Sequence, residues 1–146
     1  MTASIKVHFQ LLQDADGYPP VAVESIWATP GDAPNIFVLD NIPFFVRQAT
    51  VGDVVKVREQ DGRYWFDHAV AKSGNSLIRA VFFNSTGVDE VKVCLVSRGC
   101  AAEYLQAHNL LAVNVPVETD LASIQQYLDA KAAEGMLDYE EPILRQ

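Results

Sequence analysis

The chain has 146 residues, 49% of them hydrophobic and 21% charged, with a net charge of −8 and a pI of about 4.7. This is the make-up of an ordinary globular protein, enough for one domain or for two very small ones sharing a core. The acidity argues against nucleic acid as a partner, because phosphate binding draws on a surplus of Lys and Arg, and it suits a cationic protein partner.

In chain order, Ile5 to Leu11 alternates, with Ile5, Val7 and Phe9 on one face and Lys6, His8 and Gln10 on the other, as in a half-buried strand. Asp14 to Pro20 is a turn cluster, Val21 to Thr29 a second strand, and Pro30 to Pro34 closes it. Asn35 to Val46 is an apolar strand-like run that Pro43 confines to an edge or a bend. Asp61-Gly62 between two β-rich runs predicts a type I′ hairpin. Its register sets Gln60 opposite Arg63, Arg58 opposite Trp65, Val57 opposite Phe66, Lys56 opposite Asp67 and Val55 opposite His68. One face then collects Val55, Val57, Phe66 and Val70 as core, with His68 on the same side. The other pairs Lys56 with Asp67 and Arg58 with the Trp65 ring. Such strands, four or five in about 70 residues, predict a small β-barrel or a strongly bent antiparallel sheet.

The texture changes at Ser73-Gly74-Asn75-Ser76. Leu77 to Phe83 reads as a strand and Val88 to Arg98 as a helix, with Thr86 and Asp89 as a capping-box variant and Gly99 as C′ residue. Cys100 to Gln106 and Leu110 to Val117 read as strands around His108-Asn109. Thr119 or Asp120 caps a helix that runs through Glu134 to Gly135, and Asp138 to Leu144 closes a last strand. The order β-α-β-β-α-β is that of a ferredoxin-like split βαβ unit, with both helices on one sheet face and the other face left for the first unit or a partner. The fold class is therefore α+β: a β-rich unit over residues 1–73 packed with a ferredoxin-like unit over 74–146.

The N-terminus has no basic stretch followed by an apolar run, and nothing approaches the roughly 18 apolar residues of a membrane span, which predicts a cytoplasmic protein without membrane contact. Cys94 and Cys100 suit a reducing compartment, and their spacing is no metal signature. No metal or cofactor is expected, and no phosphate loop, nucleophile elbow or zinc motif is present. Cys100 lies past a helix C-terminus, the wrong pole for a thiolate.

Three residues are candidates for a ligand pocket. Glu24 shares a strand face with Ile26 and Ala28, so its carboxylate must find donors, from a turn or from Arg47 or Arg79. Arg79 alternates with Leu77, Val81 and Phe83 and must pair with a carboxylate, Glu103 being one, or bind an anion. Arg58, Tyr64 and Trp65 on the hairpin are candidate partner-binding residues, since Arg, Tyr and Trp dominate interface hot spots. Glu140 and Glu141 add negative charge near a sheet edge and complete that set.

Glu24-Ser25-Ile26-Trp27-Ala28, Asn41-Ile42-Pro43-Phe44-Phe45, Gly52-Asp53-Val54-Val55, Gly99-Cys100-x-x-Glu103 and Val113-Asn114-Val115-Pro116 occur in an order that resembles a bacterial family catalogued as a domain of unknown function. The resemblance implies a bacterial, stand-alone cytoplasmic protein and no activity, hence no catalytic residues to transfer. Acidity, small size and the lack of a catalytic set point to a non-enzymatic protein-binding module of the immunity or antitoxin type, neutralising a cationic toxin by covering it. The alternative is a small-molecule-sensing regulatory module, with its pocket near Glu24, Arg79 and Glu103.

Overall fold

The computed structural model describes residues 4–146, which form two compact units divided between Ser73 and Gly74. The described residues form a mixed α+β structure with two antiparallel sheets and two α-helices.

In the first unit, β1 (Ile5–Gln10), β2 (Val23–Pro30), β3 (Ile36–Leu39), β4 (Val54–Gln60) and β5 (Arg63–Ala71) follow one another as antiparallel neighbours. The sheet bends until β1 meets β5, over a parallel seam of only two residue pairs, Val7 with Tyr64 and His8 with Trp65. Alternation puts Val7, Phe9, Ile26, Ala28, Leu39, Val55 and Val57 inside, all at most 2% exposed. Each large apolar side chain so buried contributes about 1.5–3 kcal/mol.

The hairpin forms as its turn chemistry dictates: Asp61 (φ 54°) and Gly62 (φ 77°) both adopt the left-handed conformation that a type I′ turn requires. The register matches the expected one from Gln60–Arg63 to Val57–Phe66 and then departs from it. Asp67 and Val70 are extra residues, so Lys56 faces His68 and Val55 faces Ala69. A bulge inverts the alternation, and this corrects three expectations. His68 is exposed instead of sharing the core face, Val70 is 52% exposed, and Asp67 meets the His68 ring at 3.0 Å instead of Lys56.

The apolar run from Asn35 to Val46 is a strand only over Ile36–Leu39. Beyond it the backbone is irregular, although Ile42, Phe45, Val46 and Ala49 are buried. Pro43 has no N–H to give a ladder, and a buried irregular segment must find hydrogen-bond partners outside a sheet.

In the second unit, β6 (Ser76–Phe82), β7 (Ala101–Leu105), β8 (Leu110–Val115) and β9 (Leu137–Ile143) form an antiparallel sheet in the order β7-β8-β6-β9. Helices α1 (Val88–Ser97) and α2 (Leu121–Ala133) follow β6 and β8 respectively. Val91, Leu95, Ile124 and Leu128 project from them into one cluster with Ile78, Ala80, Phe82, Leu111 and Val113. Those strand residues alternate, so both helices cover the same sheet face.

Asp120 caps α2, its carboxylate accepting from Ala122 N–H, as its position predicts. Helix α1 differs from expectation. Its N-cap is Gly87, and no Thr86–Asp89 capping box forms; Asn84 instead caps a preceding 3-10 turn by accepting from Thr86 N–H. At the other end Gly99, at φ +100°, supports a Schellman closure: Cys100 N–H donates to Leu95 C=O at 3.1 Å and Gly99 N–H to Val96 C=O at 3.0 Å. Gly135 and Met136 repeat this pattern at the end of α2.

Candidate functional site

Glu24, Arg79 and Glu103 fall on both sides of the division: Glu24 belongs to the first unit, and Arg79 and Glu103 to the second. The Glu24 carboxylate accepts three backbone N–H groups, from Phe44 at 2.7 Å and from Phe45 and Val46 at 2.9 Å each. It supplies the irregular segment with the acceptors that a strand neighbour would otherwise provide, in place of a pairing with Arg47 or Arg79. Arg79 is 2% exposed, and its guanidinium lies 3.9 Å from Glu140, the residue opposite it on β9. Glu103 stands two strands away, with Ala112 of β8 between them, and is exposed.

Asp53 is a structural carboxylate that the sequence reading missed. It is fully buried and accepts from Thr50 N–H at 3.0 Å and from Ser73 N–H at 2.9 Å and Ser73 Oγ at 3.1 Å. The signal available for it was a Gly-Asp turn entering a strand, with a Ser where the unit ends.

Two of the three hairpin candidates, Arg58 and Trp65, converge. Arg58, Gln60, Asp61, Arg63 and Trp65, joined by Gln10 of β1, line a cleft of about 420 Å³. Registers place them there. Arg58 and Gln60 lie opposite Trp65 and Arg63, and the β1–β5 seam brings His8 beside Trp65. The Trp65 ring is half-buried and tilts onto the His8 ring at 5.4 Å, while His8 Nδ1 donates to Tyr64 C=O at 3.2 Å. Arg58 does not stack on Trp65 as expected; its Nη1 donates to the Phe66 carbonyl at 3.1 Å. Tyr64 faces the other way, against Phe37 at 5.3 Å between ring centres. Lys6 lies 5.0 Å over the ring of Trp27 on the neighbouring strand.

Of the six Lys and Arg in residues 1–73, Lys6, Lys56, Arg58 and Arg63 are thus exposed on the sheet or at its hairpin, Lys6 over Trp27 and the two Arg in the cleft with Trp65. Sequence reading found Arg58 and Trp65 but missed Gln10, Gln60 and Arg63.

The second unit holds the remaining candidates. Glu140 faces Arg79, and Glu141 accepts from Gln125 Nε2 at 2.8 Å. Burial pushes the Cys100 thiol up to about 11, and Cys94 and Cys100 are both free. Burial and the neighbouring Cys94 push the Tyr127 phenol up to about 12, and burial with a hydrogen bond to Asp129 raises that of Tyr139. A protonated, buried thiol is no nucleophile at neutral pH. Among the described residues no group of three or more His, Cys, Asp or Glu is placed to hold a metal ion, and no helix is long and apolar enough to cross a membrane.

Comparison with known proteins bears on the fold and the family. The chain is similar over its whole length to the "Novel crystal structure of a hypothetical protein from Neisseria gonorrhoeae", with a TM-score of 0.74, 20% identity and 97% of that chain covered. That likeness establishes the fold alone. No curated protein matches the sequence. A family model matches residues 24–139, from the strand carrying Glu24 to the strand carrying Tyr139. The chain therefore belongs to the family described as Domain of unknown function (DUF4265).

Proposed function

We propose that this protein is a non-enzymatic protein-binding module whose contact site is the cleft of Arg58, Arg63 and Trp65 under the β4–β5 hairpin. One observation carries this reading. An indole and two guanidiniums line a cleft at the hairpin, and Trp and Arg are the residues that anchor interfaces. Two of the residues that suggested a small-molecule pocket have structural neighbours, Glu24 holding backbone N–H groups and Arg79 lying beside Glu140. In its specific form the module is a cytoplasmic immunity or antitoxin protein. The overall charge of −8 steers a cationic toxin toward it at long range, and the second unit contributes most, with 10 Asp and Glu against 5 Lys and Arg.

The first unit reads as a small barrel and the second as ferredoxin-like. The β1–β5 seam supports the former, and the strand order β7-β8-β6-β9 with both helices on one face supports the latter.

The test is affinity capture from host lysate with the wild-type chain and with Trp65→Ala and Arg58→Ala. A stoichiometric protein held by the wild type and released by both variants is the expected result. Equal retention by all three would move the site elsewhere, and the absence of any retained protein would end the protein-binding reading. The antitoxin form predicts in addition that deleting the gene is toxic while the partner is expressed.

A further inference from the structure

The cleft has a neighbour that defines what enters it. Gln10 also lines a second groove, of about 270 Å³, with Leu11, Leu12, Pro19, Phe45 and Arg47. The two depressions therefore adjoin across one side chain, and both lie within the first unit. They differ in chemistry. The first presents Arg58 and Arg63 with one carboxylate, Asp61, so its lining carries a net positive charge, and neither Arg is ion-paired with a carboxylate among the described residues. The second is mainly apolar, with Gln10, Arg47 and Gln48 at its polar side, and there Leu12 is 94% and nearby Tyr18 50% exposed. Leu12 and Tyr18 thus offer exposed apolar area at the rim of this groove, which an apolar side chain of a partner can cover.

We infer that these two depressions together receive one extended, acidic segment of the protein partner, on the basis of the protein-binding role proposed above. A carboxylate of the segment lies between the Arg58 and Arg63 guanidiniums, with the Trp65 ring as its apolar wall. A large apolar side chain a few residues along occupies the groove beside Leu12. Charge complementarity selects this occupant. A basic segment would meet two guanidiniums that no carboxylate neutralises by ion pairing, and a purely apolar one would desolvate them without return. Single-stranded nucleic acid fits less well. The Trp27 face is already covered by Lys6, Trp65 leans on His8, and the chain as a whole repels phosphate. Long-range attraction of a basic partner and local capture of its acidic segment are compatible, because steering acts over the whole charge distribution and docking over one cleft.

The experiment selects short random peptides displayed on phage against the full chain, with an oligothymidylate titrated in parallel. Trp65 fluorescence in a Trp27→Phe background reports binding at the site. The expected peptides carry Asp or Glu a few residues from Leu, Phe or Trp. Their affinity should fall about tenfold or more on Arg58→Glu/Arg63→Glu, the loss of charge-assisted contacts, and several-fold on Leu12→Ser. Both sites are exposed, and circular dichroism and thermal melting confirm that each variant is folded. Arg58→Gln/Arg63→Gln, which removes charge without reversing it, should give an intermediate loss. Selection of basic peptides, of peptides indifferent to the Arg variants, or of none at all overturns the inference, as does tighter binding of the oligothymidylate. Those results leave the broader role standing if lysate capture still depends on Trp65. If capture fails as well, both fall.

Discussion

The two units secure their non-repetitive backbone by different means. In the first, side-chain carboxylates do it: Glu24 holds the N–H groups of Phe44 to Val46, Asp53 those of Thr50 and Ser73, and Asp14 those of Asp16 and Tyr18. In the second, the backbone does most of it through paired Schellman closures at Gly99 and Gly135, with Asp120 as a helix cap. The contrast follows from architecture. Helix ends offer carbonyls and N–H groups in fixed geometry, which a reversed chain can satisfy from its own backbone. The connections of a bent sheet close some backbone bonds of their own, such as Gly31 N–H to Ile36 C=O and Gly52 N–H to Leu39 C=O, but have no repeating geometry, so donors left over in a buried loop depend on side-chain acceptors. An acidic residue in an apolar strand of such a unit is therefore a structural tie before it is a candidate for chemistry.

Substitutions at these ties test the contrast. The largest loss is expected for Asp53→Ala, which removes the acceptor for the Thr50 and Ser73 N–H groups while Ser73 Oγ keeps the Val51 carbonyl; about 3 kcal/mol should appear as a lower urea midpoint at unchanged slope. Glu24→Gln keeps the shape but turns one of two acceptor oxygens into a donor facing N–H groups. It should cost about 2 kcal/mol and speed amide exchange at Phe44 to Val46. Unchanged exchange there would mean that apolar packing alone holds the loop, and the distinction between the units would collapse.

In the second unit, Gly99→Ala forces a Cβ into the left-handed region and within 2.8 Å of Thr119 Oγ1, at about 1–2 kcal/mol. Gly135→Ala should cost less, since nothing lies within 4 Å of its Cβ.

The smallest effect is on pH dependence. The folded state holds the Cys100 thiol protonated up to about 11, above its ordinary value of 9.0. The unfolded chain therefore loses this proton first, and stability falls as pH rises from about 9 toward 11. At pH 10 the fall from this group is about 1 kcal/mol. Denaturation midpoints of wild type and Cys100→Ala, compared at pH 8 and pH 10, should converge at the higher pH.

The architecture was legible wherever its determinants are local. Asp61-Gly62 specifies the hairpin, Asp120 and Gly135 bound α2, and Gly99 ends α1, each through a residue acting within one turn. What acts across the chain was not. The acceptors for the segment after Leu39 come from Glu24, more than 15 residues before it, so Asn35 to Val46 looks like a strand when read alone. The bulges on β5 have no local mark, and a strict period of two carried His68 and Val70 to the wrong face. The site followed the same division. Arg58 and Trp65 emerged from the hairpin register, whereas Gln10 joined them through a parallel seam that no neighbouring residue encodes.

Those bulges have a consequence for how copies of the protein behave toward one another. Past Trp65, β5 has no strand partner on its β1 side among the described residues, and an unpaired strand edge invites sheet growth from one molecule into the next. The extra residues at Asp67 and Val70 break the regular spacing of donors and acceptors there, and Asp67 and His68 place polar side chains beside it. The irregularity that inverted the expected face of the hairpin therefore also protects the protein against aggregation, leaving the edge too kinked and too polar to template a neighbour.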